Sequence, residues 1–178
     1  MAGRRRRRPA TSSAACTSSR AAVRRDPENP LAALKTTSRA DYVYARLEAR
    51  RAGADDALFL TIDGHLSEAT TANVFLVRGD GARARDAVAR LRDPARHDTQ
   101  LDPRAGRRAS GCRPVEGWLT TRDLAERRRG VPARASVAGI LPVTRFEGAP
   151  IGDGRPGPWT LRARADREAF IRGDGRRG

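Results

Sequence analysis

The chain has 178 residues, a formal charge of +15 and only 4% aromatic residues. That length fits one domain, or one domain with a tail. No apolar run approaches the length of a membrane-spanning helix, and the basic residues do not interleave with aromatics as they do in a single-strand nucleic-acid binder.

Residues 1–29 open on Arg4 to Arg8 and continue as a Ser/Thr/Ala/Arg tract. There is no apolar core of a secretory signal. The composition predicts a disordered basic tail that binds polyanions, nucleic acid included, without specificity. Asp26-Pro27-Glu28-Asn29-Pro30 reads as an extended linker. Cys16 and Cys112 have no metal-ligand spacing, His97 is isolated, and no metal site is expected. A reduced, cytoplasmic setting is the default for such a chain.

The stretch from Leu31 to Arg78 carries the clearest local signals. Of the 36 Lys and Arg residues only Lys35 is lysine. A desolvated lysine can offer a free amine to a carbonyl, which arginine cannot do at neutral pH. Ser38 or Asp41 can cap a helix after it. Ala40, Val43 and Leu47 fall at helical spacing and predict its apolar stripe, and Gly53 ends it. Ala57 to Ile62 is nearly all apolar, as a strand covered on both faces would be. Asp63-Gly64 is a two-residue hairpin turn. The return arm passes Glu68 and small or hydroxylated residues before Val74-Phe75-Leu76-Val77, a second strand.

Residues 79–112 are aperiodic and read as loop, with a short helix possible over Ala87, Val88 and Leu91. Pro114 to Leu119 is strand-like, and Thr120 or Thr121 can cap a short helix through Glu126. Arg127 to Arg134 breaks the pattern again. Ser136 to Gly154 reads as strand, turn, strand, and Pro158 suits the first turn of a last helix whose apolar stripe is Leu161, Ala165 and Ala169. The domain is therefore expected over 30–172, with 79–112 and 127–135 divergent and 173–178 a tail. Its class is α+β: a mixed or antiparallel sheet with packed helices.

Two blocks, DDALFLTIDGHLSEATTANVFLV and SVAGILPVTRFEGAPIGDGRPGPWTLRARADREAFI, together with Lys35 and the Arg46-Leu47-Glu48-Ala49 end of the first helix, resemble the class IV aminotransferases. That is the pyridoxal-phosphate (PLP) family of branched-chain aminotransferase, D-amino acid aminotransferase and aminodeoxychorismate lyase. The resemblance implies the family's larger subdomain, PLP as cofactor, amino acid and α-keto acid substrates, and a homodimer. It implies that Lys35 forms the Schiff base and shuttles the proton, and that Glu68 pairs with the pyridine nitrogen. Ser136, with the adjacent Val137, stands where the family binds the cofactor phosphate.

The departures are as specific. The family's smaller subdomain, which supplies an arginine to the phosphate, would precede Lys35, and only a basic tail stands there. Nothing in 79–112 matches the family's Leu-Pro-Gly-x-Thr-Arg phosphate loop. The branched-chain enzymes' tyrosine close after the lysine is replaced at its place by Ala40. A truncated start and a shifted reading frame over 79–112 and about 127–135 are the expected common cause of these departures, which the coding DNA would test. Three functions follow: an aminotransferase, a PLP lyase of the aminodeoxychorismate type, and an inactive remnant that binds polyanions.

Overall fold

A computed structural model of the chain describes residues 15–30, 38–78, 86–89, 113–115, 118–126, 131–135 and 139–172. The class is α+β, as the sequence predicts, and no helix among the described residues is long and apolar enough to cross a membrane.

The first strand, β1 (Cys16–Arg25), lies inside the stretch expected to be a disordered tail, and that expectation is corrected. β1 pairs in parallel with β2 (Asp56–Thr61) on one side and with β8 (Gly139–Phe146) on the other. Its exposed positions include Arg20 and Arg24, while Ala21 is buried and Val23 packs beside it under the first helix. Arg20 and Arg24, which add to the tail-like composition, are on the solvent side of a strand held by its neighbours' backbones.

Helix α1 (Ala40–Arg51) follows. Its N-cap is Arg39, with no side-chain cap bond, so neither Ser38 nor Asp41 caps it. Its end is as expected: Gly53 takes φ +74, the Gly53 N–H bonds the Arg50 carbonyl, and the Ala54 N–H bonds the Ala49 carbonyl. This is the paired-bond Schellman arrangement, which needs the left-handed residue that glycine supplies without strain. The buried stripe of α1 differs from the expected one. Ala45 and Ala49 are fully buried, whereas Val43 and Leu47 are 60% and 44% exposed. Small side chains let the helix lie close on β1 and β2, so proximity to the sheet selects alanine rather than the larger apolar residues.

The Asp63-Gly64 turn joins β2 to β3 (Leu66–Ala69), with Gly64 at φ +82. β4 (Ala72–Arg78) follows at once and pairs with β3 through Glu68 and Asn73. β5 (Asp86–Ala89) is a strand antiparallel to β4, where a helix or loop was expected. β6 (Arg113–Val115) pairs with β5 in parallel. The short helix α2 (Thr121–Glu126) is introduced by Thr120, whose N–H and hydroxyl both donate to the Asp123 carboxylate at 2.9 and 3.0 Å. β7 (Val131–Ala135), in the stretch expected to be divergent, pairs with both β4 and β8. A tight β9 (Ala149–Pro150) folds back on β8, and α3 (Pro158–Arg172) ends the described chain. Leu161 of α3 is 47% exposed and Ala165 is also exposed; the helix buries Trp159 and Thr160 instead.

The strand order β3-β2-β1-β8-β7-β4, with β4 returning to β3, closes six strands into a ring. Leu58, Leu60, Leu66, Val74, Leu76 and Val143 form one core, which Leu119 and Leu124 from the α2 region complete. Ala21, Ala45, Ala49, Ala57 and Phe59 form a second core between the ring and α1. Leu58 and Phe59 are neighbours in one strand and belong to different cores, as the alternation of a strand requires.

Candidate active site

Glu68 is built by an irregularity in β3. Leu58 pairs with Ala69 and Leu60 with Leu66, so β3 advances three residues where β2 advances two. The extra residue is a bulge. It allows Leu66 and Ala69 both to join the ring core and turns Glu68 toward α1. Glu68 is 9% exposed there.

A network of α1 and β1 residues surrounds the carboxylate. The Tyr42 hydroxyl donates to Glu68 Oε1 at 2.7 Å. Arg25 Nη2 lies 3.4 Å from the same oxygen, and Arg25 Nη1 lies 2.5 Å from Asp41 Oδ2. The Arg25 guanidinium also sits 4.2 Å from the Tyr42 ring centre and 4.4 Å from that of Phe59. Tyr42 and Phe59 meet edge to face at 5.2 Å. Arg39 places its guanidinium 4.1 Å from the Tyr42 ring centre and donates to the Thr70 carbonyl at 2.8 Å. Thr70, 1% exposed, donates its hydroxyl to Asp56 Oδ1. A carboxylate buried away from water needs such partners to remain charged.

Of the expected site residues, Glu68 is described; Lys35, Ser136 and Val137 lie outside the described residues. Their described neighbours converge. Arg39, at the start of α1, is bonded to Thr70, two residues from Glu68. Ala135 and Gly139, which flank Ser136 and Val137, pair with each other, and Ala135 pairs with Ala72 beside the Glu68–Asn73 closure. Three sequence segments thus meet at one end of the ring. Residue-by-residue reading missed Arg25, Tyr42, Asp41 and Arg39. The position of Tyr42, in the first turns after Lys35, was the only available signal. Among the described residues no group of His, Cys, Asp and Glu could hold a metal ion.

The comparisons agree with the resemblance. Residues 5–84 match the family model described as amino-transferase class IV. Among solved structures, the chain is similar to a branched-chain amino acid aminotransferase from T.th., at 25% identity and TM-score 0.77, over 92% of this chain and 54% of that one. It is similar in fold to the PLP form of a branched-chain amino acid aminotransferase from Thermobaculum terrenum, at 19% identity and TM-score 0.75, over 92% and 53%. A PLP-bound aminotransferase from Brucella abortus matches at 20% identity and TM-score 0.73, over 92% and 57%. The fold is that of the class IV aminotransferases. The sequence match to that family's model is confined to residues 5–84. It spans about half the length of these solved structures. No curated protein matches it.

Proposed function

We propose that the chain carries the PLP-binding half-site of an aminotransferase, acting on an amino acid and an α-keto acid. The supporting observation is Glu68: a buried carboxylate, aimed by a bulge and held by Tyr42 and Arg25, at the end of the ring where the flanks of Lys35, Ser136 and Val137 meet. A buried anion with fixed hydrogen bonds suits a cationic ring nitrogen, so the described residues fit the cofactor. When bound, PLP supplies an electron sink for negative charge at the substrate's α-carbon.

Four residues hold the group. Lys35 would hold it through its amine, Glu68 would meet the ring nitrogen, and Ser136 with Val137 would meet the phosphate. A carboxylate at Glu68 would favour a proton on that nitrogen. The Lys35 amine would carry the substrate's α-proton. The Arg25–Tyr42–Phe59 stack shields one side of Glu68 from water, which strengthens its interaction with a cation.

The test is an absorbance titration of the purified chain with PLP, beside Lys35→Ala. A band at about 410–420 nm, expected for a lysine-bound cofactor, should form in the parent and vanish in the variant. No band in a folded parent protein overturns the proposal.

A further inference from the structure

Arg25 is given no contact with the cofactor above, yet its side chain makes two ion pairs and two ring contacts. It bridges two carboxylates from different elements, Asp41 of α1 at 2.5 Å and Glu68 of β3 at 3.4 Å, from its own place at the end of β1. Two aromatic rings enclose it, and its side chain is 23% exposed. Both its contact with Glu68 and the Tyr42 hydrogen bond fall on Oε1. Two donors on one oxygen set the rotation of a carboxylate about its last bond.

We propose that Arg25 and Tyr42 are positioning residues that orient Glu68 toward the cofactor's ring nitrogen, and that Asp41 carries most of Arg25's charge. The inference rests on the proposed PLP site. A bare guanidinium against Glu68 would hold the carboxylate in place but weaken its hold on a second cation. Asp41 lies nearer to Arg25 than Glu68 does, so the guanidinium is largely neutralised by it and Glu68 keeps its negative charge for the ring. The other charged groups nearby are Arg39, turned to the Thr70 carbonyl and the Tyr42 ring, and Asp56, bonded to the Thr70 hydroxyl. Lysine could not replace Arg25, because the flat fork both stacks between rings and bridges two carboxylates.

The experiment measures PLP affinity by absorbance, in parallel with a PLP analogue whose ring nitrogen is replaced by carbon. Tyr42→Phe should weaken PLP roughly 2- to 10-fold, the scale of one lost neutral hydrogen bond. Arg25→Met should weaken it by roughly tenfold or more, the scale of a charge-assisted bond, and Arg25→Lys should not restore it. Both losses should shrink toward onefold with the analogue, which has no nitrogen for Glu68 to meet. Asp41→Asn should leave Glu68 bonded but lower the pH at which the ring nitrogen of bound PLP titrates. Should Arg25→Met fail to fold, Tyr42→Phe still decides the matter, since it removes one oxygen from a packed ring.

Equal losses with PLP and the analogue would make Arg25 and Tyr42 structural and overturn the inference while leaving the PLP site standing. Unchanged PLP affinity in the variants would do the same. A parent chain that binds neither compound overturns the PLP site, and the inference with it.

Discussion

The two faces of β2 differ in what they accept. The inner face gives Leu58 and Leu60 to a core of branched aliphatics with no charge among them. The outer face gives Ala57 and Phe59 to a thin layer under α1, and at its edge lie two arginines, two carboxylates and a tyrosine. The inner core is of the kind that holds a fold together. The outer layer tolerates buried charge because each charged group has a partner, and replacing such networks with apolar residues often stabilises a protein. The difference marks the outer face as the one shaped by chemistry.

Neighbouring residues of one strand can separate the two faces. Phe59→Ala should cost about 3–5 kcal/mol in urea unfolding and should also weaken PLP, because the ring walls Arg25. Leu58→Ala should cost about 2–5 kcal/mol and leave the PLP affinity of the folded fraction unchanged. A PLP loss as large for Leu58→Ala as for Phe59→Ala would erase the distinction.

A smaller effect tests how α1 is seated over the outer layer. Gly53→Ala forces a β-carbon into the left-handed region at φ +74 and should cost about 1–2 kcal/mol. A β-carbon there meets nothing within 4 Å, so the cost is conformational alone. No change in the melting temperature would mean that the end of α1 relaxes without strain.

An effect confined to alkaline pH lies at the start of β1. Cys16 packs against the inner core, and burial pushes its thiol up to about 12, with Asp55 and Asp56 adding to the shift. Below its ordinary value of 9.0 both folded and unfolded chains keep the proton. Between 9.0 and about 12 the unfolded chain loses it while the folded chain holds it, so stability falls as pH rises. Cys16→Ala should flatten that part of the stability–pH curve. The thiol should also resist alkylation at pH 8 until the chain is unfolded, as peptide mapping would show.

What the sequence made legible was local. The Asp63-Gly64 turn, the Gly53 stop, the apolar run before the turn and the Pro158 start of α3 each depend on a few adjacent residues. The strands β1, β5 and β7 depend on partners far along the chain. Their own residues, rich in arginine and alanine, carry no alternating pattern that a window of sequence can register. Glu68 was legible as a candidate. Its orientation was not, since the bulge that turns it exists only in the pairing of β3 with β2. Arg25 was hidden for the same reason, being a strand residue in a segment that reads as a tail.

The ring closes through the pairing of Glu68 with Asn73. Closure is therefore a narrow seam, and the seam runs through the residue that would meet the cofactor. A transient parting of β3 from β4 would disassemble the site without unfolding either core, a local opening of low free energy. Ligand bound at Glu68 would act as a clasp on that seam. Amide hydrogen exchange around Asn73 would then slow far more on binding than exchange at Leu58 or Val143, and the protein's breathing would become a readout of occupancy.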